Sequence, residues 1–156
     1  MKIVHLSDPE YLFEPLGIKE YHWISKNGIY DSGGGLSLKS RDIAKYGLLH
    51  LNKGKWNNTE IVSENWINEI FTPFIEIKSP FYSCYQWQMV KTEFGFNAWF
   101  IPGNGGQIIS IIPDLKMVIV INADNRNIPK DKRVPLEYMV KEITKLHPII
   151  VKNKRT

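Results

Sequence analysis

Five residues in the middle of the chain have the types and the spacing to do chemistry: Gly103, Asn104, Gly105, Gly106 and Gln107. They sit between two apolar runs. Glycine at the mouth of a strand lets a backbone approach a ligand closely and leaves N–H groups free to donate. Donors of that kind hold the oxyanion that develops on a carbonyl during acyl transfer. A second glycine run, Gly33-Gly34-Gly35, follows Tyr30, Asp31 and Ser32. It reads either as a flexible linker or as a close-packed wall beside a site.

An oxyanion donor needs a nucleophile, and none stands in a recognisable setting. The single cysteine, Cys84, lies among Tyr82, Ser83, Tyr85 and Trp87 and reads as a small core residue. One cysteine forms no internal disulfide. The four histidines, His5, His22, His50 and His147, are far apart and make no metal-ligand spacing. No metal and no organic cofactor is implied.

Composition narrows the remaining classes. Twenty Lys and Arg against sixteen Asp and Glu give a net charge of +4, scattered except near 130–133 and 152–155. There is no basic aromatic platform, so a nucleic-acid partner is not expected. The first residues lack the apolar stretch of a signal peptide, and no run approaches membrane-spanning length. The expectation is a soluble, cytoplasmic chain with no membrane partner. At 156 residues and 43% hydrophobic content, the chain has the material for one packed domain. It shows no repeats and no internal boundary.

The elements that must position the glycine loops follow from pattern. Tyr11-Leu12-Phe13 into Pro15-Leu16-Gly17 reads as a helix end and turn. Asn27-Gly28 is a turn, with Ile29-Tyr30 a short strand. Ser40 is the expected N-cap of a helix with Asp42 in its first turn. Ile43, Tyr46, Leu48, Leu49 and Leu51 give it an apolar side, and Gly54 ends it. Trp56-Asn57-Asn58-Thr59 reads as a hairpin turn. Ser63 caps a second helix carrying Trp66, Ile67 and Ile70. Strands are expected over 82–90, 94–101, 107–112 and 117–123, antiparallel because their connections are short. A helix over 136–146, striped by Leu136, Met139, Val140, Ile143 and Leu146, should cover one sheet face.

Several stretches together resemble the serine beta-lactamase-related hydrolases, the penicillin-recognising family of class C beta-lactamases, DD-peptidases, esterases and amide hydrolases. Residues 11–18 are similar to the family's "LFePLGI" helix end. Gly33-Gly34-Gly35-Leu36 and residues 40–47 resemble its "GGL…s..DlakfG" segment. Residues 51–56 and 61–66 continue in register. Tyr85-Gln86-Trp87 resembles the "YGYqWW" strand, with Cys84 where glycine is usual. Residues 103–107 are similar to "GxGGQ". The resemblance covers residues 11 to about 123 and only the C-terminal part of the family's domain.

The family's chemistry uses a Ser-x-x-Lys nucleophile, a tyrosine such as that of Tyr-x-Asn, and a Lys-Thr-Gly strand or its replacement. No serine here has lysine three positions on, no tyrosine has asparagine two positions on, and Lys91-Thr92 is followed by Glu93. The resemblance therefore implies an incomplete beta-lactamase/transpeptidase-like fold, α+β, with residues 1–156 a single partial domain. It implies that Gly103, Asn104 and Gly105 line the cleft, with Asn104 presenting the N–H to the reacting carbonyl. Tyr30 and Ser32 are candidates to face substrate. The substrate class is a small amide or ester, and no catalytic residue is assigned. Two functions stay open: a C-terminal fragment of such a hydrolase, inactive alone, or a non-catalytic truncated product or binding module using the same sheet. An unpaired sheet edge would favour self-association.

Overall fold

A computed structural model of the chain describes residues 9–31 and 34–129, with positions 131, 138, 142 and 145. Helix α1 (Pro9–Leu12) ends in a turn at Gly17, where φ is +64°. Strand β1 (Tyr21–Trp23) leads to the hairpin of β2 (Ser25–Lys26) and β3 (Ile29–Tyr30), and then to β4 (Leu36–Leu38), which returns to pair with β1. Asn27 and Gly28 turn the hairpin with φ of 52° and 76°. Two successive left-handed residues match the twist of paired strands, which is why Asn-Gly serves there.

Helix α2 (Ser40–Leu51) follows, then the hairpin β5 (Lys55–Trp56) and β6 (Thr59–Glu60), then α3 (Glu64–Ile70). Ser63 caps α3 as expected, its hydroxyl accepting from the Trp66 N–H at 3.3 Å. Ser40 does not cap α2. It is the helix's first residue, preceded by Lys39, and its hydroxyl accepts from Asn122 Nδ2 at 2.8 Å. The hydroxyl is drawn across to a distant amide instead of back onto its own helix.

The centre of the molecule is a six-stranded antiparallel sheet of β7 (Ile75–Lys78), β8 (Phe81–Cys84), β9 (Trp87–Lys91), β10 (Asn97–Pro102), β11 (Ile108–Ile112) and β12 (Met117–Ile121). Their spatial order is their chain order. The single strand expected over 82–90 is two. A tight turn at Tyr85 and Gln86, with Tyr85 at φ 54°, folds Cys84 back onto Trp87. Strand β7 went unpredicted because its four residues are all exposed and it has no buried face to give it a pattern. Phe94, expected to begin a strand, lies in the turn before β10.

Side chains alternate across this sheet and build two cores. Ala98, Phe100, Ile108, Ile112 and Ile119 pack on one face. Trp87, Met89, Ile109 and Ile111 pack on the other, against Ile67 and Ile70 of α3 and Ile43 and Tyr46 of α2. Strand β11 is buried along its whole length, as a strand covered on both faces must be. Helix α2 crosses β11 and β12 at close range because Gly47 has no side chain. A Cβ there would lie 2.5 Å from Val118 Cγ1 and 3.1 Å from Ile109 Cδ1. Of the helix expected over 136–146, Tyr138, Glu142 and Lys145 are helical, and the other positions lie outside the described residues. The fold is thus α+β, with helices beside an antiparallel sheet.

Candidate functional site

The hairpin loop joining β10 to β11 is residues 103–107, and Gln107 organises it. The Gly103 N–H donates to the Gln107 carbonyl at 2.8 Å and closes the hairpin. The Gly105 N–H donates to Gln107 Oε1 at 3.0 Å, and Gln107 Nε2 donates to the Ala123 carbonyl at 2.7 Å. The Asn125 N–H donates to the Gly105 carbonyl at 2.7 Å. The glutamine amide therefore fastens the loop to the segment that leaves β12.

This packing explains the glycines. A Cβ on Gly103 would sit 2.7 Å from Gln107 Oε1, and one on Gly105 would sit 2.6 Å from Gln107 Nε2. Gly106 has φ +92°, and a Cβ on it would collide with the Asn125 amide. The sequence suggested that these glycines leave N–H groups free. Instead the N–H groups of Gly103, Gly105 and Gly106 are all used inside the loop, the last donating to the Gly103 carbonyl at 3.2 Å. The Asn104 N–H has no partner among the described residues, and Asn104 is exposed.

Of the other expected residues, Tyr30 is described. Tyr30 stacks on Trp23 with ring centroids 5.0 Å apart. Trp23 Nε1 donates to the carbonyls of Asp31 at 2.9 Å and Gly34 at 3.2 Å. None of the hydrogen bonds of the 103–107 loop reaches Tyr30 among the described residues. Ser32 and Gly33 lie outside the described residues.

Gln107 stands in the sequence motif without a role assigned to it, and Asn125 is not singled out from sequence. The available signal was an amide directly after two glycines at a strand start. The same end of the sheet carries a forked ion pair, Arg126 Nη2 at 2.6 Å from Asp124 Oδ2 and Nε at 2.8 Å from Oδ1. That hydrogen bonding holds the Asp124 carboxyl down to about 2.

Among the described residues no serine hydroxyl is hydrogen-bonded to a lysine, histidine or tyrosine. Ser110, wholly buried between isoleucines, donates to the Trp99 carbonyl at 3.1 Å, which satisfies it as a core residue. Cys84 is wholly buried, and burial pushes its thiol up from the ordinary value. A buried thiol with a raised pKa is a poor nucleophile. No helix among the described residues is long and apolar enough to cross a membrane.

No protein-family model matches the chain, and no curated protein matches it. Solved structures do. A Bacillus anthracis protein described as a 6-aminohexanoate-dimer hydrolase is 24% identical, with a TM-score of 0.73 over 87% of this chain and 36% of that one. An octameric penicillin-binding protein homologue from Pyrococcus abyssi is 19% identical, with a TM-score of 0.65 over 93% of this chain and 40% of that one. A Bacteroides dorei protein described as a beta-lactamase is 16% identical, with a TM-score of 0.60 over 87% of this chain and 49% of that one. The chain thus spans less than half the length of each structure. The antiparallel sheet, its flanking helices and these likenesses make the chain a partial representative of the beta-lactamase/transpeptidase-like fold.

Proposed function

We propose that this chain forms the sheet wall of the acyl-transfer cleft of a beta-lactamase-related serine hydrolase, which cleaves a small amide or ester through an acyl-enzyme. The observation that supports this is the unspent Asn104 N–H, held at the tip of a loop whose three glycine N–H groups are tied down. A donor fixed before reaction costs no reorganisation when charge develops on the carbonyl oxygen. In this reading Asn104 supplies one oxyanion donor, and Gly103 and Gly105 fix its backbone. One such donor contributes about 3–4 kcal/mol to the transition state.

The chain has no Ser-x-x-Lys and no Tyr-x-Asn. Loss of the nucleophile costs a serine hydrolase about a million-fold in turnover. The chain alone is therefore inactive in this reading, and activity needs a segment that carries the serine and its base. A second reading, a non-catalytic module on the same sheet, is favoured by how closely the loop is packed around Gln107. The exposed edge strand β7, with Ile75 and Ile77 each 56% accessible, supports self-association in either reading.

The test is covalent labelling of the purified chain with a fluorescent penicillin and a fluorophosphonate, read by intact mass. The expected result is an unlabelled chain. A stoichiometric adduct on a serine would overturn the inactivity of the chain by itself.

A further inference from the structure

A cavity of about 540 Å³ lies between α2, α3, the Trp87 face of the sheet, the α1 segment and the β1–β4 pair. Residues 103–107 do not line it. Its walls are aliphatic and aromatic, with Trp87, Trp66, Tyr85 and Ile109 among them. Two polar side chains of α2, Tyr46 and His50, also line it, one helical turn apart. Their rings meet edge to face with centroids 4.3 Å apart.

The protonation of His50 follows from its neighbours. Nδ1 lies 2.9 Å from the Tyr46 main-chain carbonyl, and a carbonyl only accepts, so Nδ1 carries the proton. Nε2 is then a lone-pair acceptor. His50 is only 5% exposed, yet Nε2 has no hydrogen-bond partner among the described residues. The Tyr46 hydroxyl has none either. No side-chain nitrogen or oxygen among the described residues is both sealed off and unpartnered, so both atoms keep some accessible surface, and both residues line this cavity. Burial lowers the imidazole's pKa and raises the phenol's, which keeps both groups neutral.

We infer that this cavity is a binding pocket for a small hydroxyl-bearing aromatic molecule, its hydroxyl donating to His50 Nε2 and accepting from the Tyr46 hydroxyl. One hydroxyl both donates and accepts, so a single group on the ligand can serve both residues. The volume is in the range of small-molecule pockets, and a wall of aromatic rings around a few polar groups is their usual lining. A hydrocarbon of the same shape would fill the space and leave the two polar atoms unmatched.

Isothermal titration calorimetry of the full chain with para-butylphenol, against butylbenzene as the matched hydrocarbon, tests this. The expected result is saturable one-to-one binding of the phenol. Tyr46→Phe and His50→Phe should each weaken it by about two- to tenfold, the range of one net hydrogen bond. Butylbenzene should bind more weakly than the phenol, and Tyr46→Phe should not weaken it. Tyr46→Phe keeps the ring, so the test stands if His50→Phe fails to fold. Ile109→Trp, which fills the cavity, should abolish binding of both. Absence of saturable phenol binding, or equal binding of phenol and hydrocarbon by parent and variants, would overturn the inference.

Discussion

Gln107 and Ala123 are joined by a 2.7 Å hydrogen bond from the glutamine Nε2 to the alanine carbonyl, which ties the β10–β11 loop to the chain leaving β12. The same amide accepts from Gly105 with its oxygen. One side chain thus sets the position of the loop that presents Asn104. Gln107→Ala should leave the buried Gly105 N–H and the Ala123 carbonyl without these partners. The expected loss is about 1–3 kcal/mol, measured by urea unfolding.

Gly54 is a stricter constraint than any glycine of the loop. Its φ is +83°, and a Cβ there would run into the Val62 carbonyl. Gly54→Ala should therefore cost more than the 1–3 kcal/mol of backbone strain alone. Gly28→Ala, also at positive φ but with nothing within 4 Å, should cost only the strain. Comparing the two midpoints of denaturant unfolding separates the clash from the strain.

Burial pushes the Tyr46 phenol up to about 12 from its ordinary 10. The folded state thus holds this proton more tightly than the unfolded one. Its contribution is complete below pH 10 and is lost as pH rises to about 12, amounting to roughly 2–3 kcal/mol. Tyr46→Phe has no proton to lose. Its stability should fall less steeply over that window than the parent's, in a pair of alkaline unfolding series.

His50 titrates in the opposite sense. Burial lowers its pKa, so the unfolded chain takes up the proton first as pH falls. Stability from this group is complete above pH 6.5 and declines as pH drops toward the depressed folded value. Thermal unfolding of parent and His50→Phe between pH 7.5 and 5 should show the steeper decline in the parent.

The thiol of Cys84 is wholly buried in the core shared with Trp87 and Met89. In the folded chain a disulfide reagent should leave it unmodified over a time in which the denatured chain reacts fully. At the opposite extreme of exposure, Ile77 sits on the outer strand of the sheet at 56% accessibility. Ile77→Lys should shift any self-associated species toward monomer in sedimentation velocity.

Turn chemistry was the most legible part of the fold. Asn27-Gly28 and Asn57-Asn58 mark hairpins because both residues of each pair take left-handed φ, and few other residues do so cheaply. The apolar run 108–112 was legible as a buried strand. The break inside 82–90 was not, because Tyr85 reverses the chain at φ 54° with a residue type that favours strands. Trp66 is 38% exposed and leans on Tyr85, a contact made across α3 and the β8–β9 turn that no local pattern shows. The candidate loop was visible as glycines, but their reason was not. Gln107 and Asn125 fill the space the glycines leave, and Asn125 reaches them from beyond β12. Pattern in a sequence records what is near in the chain, and this contact is not.

Among the described residues, every strand of the central sheet pairs only with its immediate neighbours in the chain. Five short connections close all five pairings, so ordering each pair fixes only a small loop. A sheet with such local pairing has low contact order and folds faster than one whose strands meet from distant parts of a chain. The wall that carries Asn104 can therefore zip up strand by strand from its own residues.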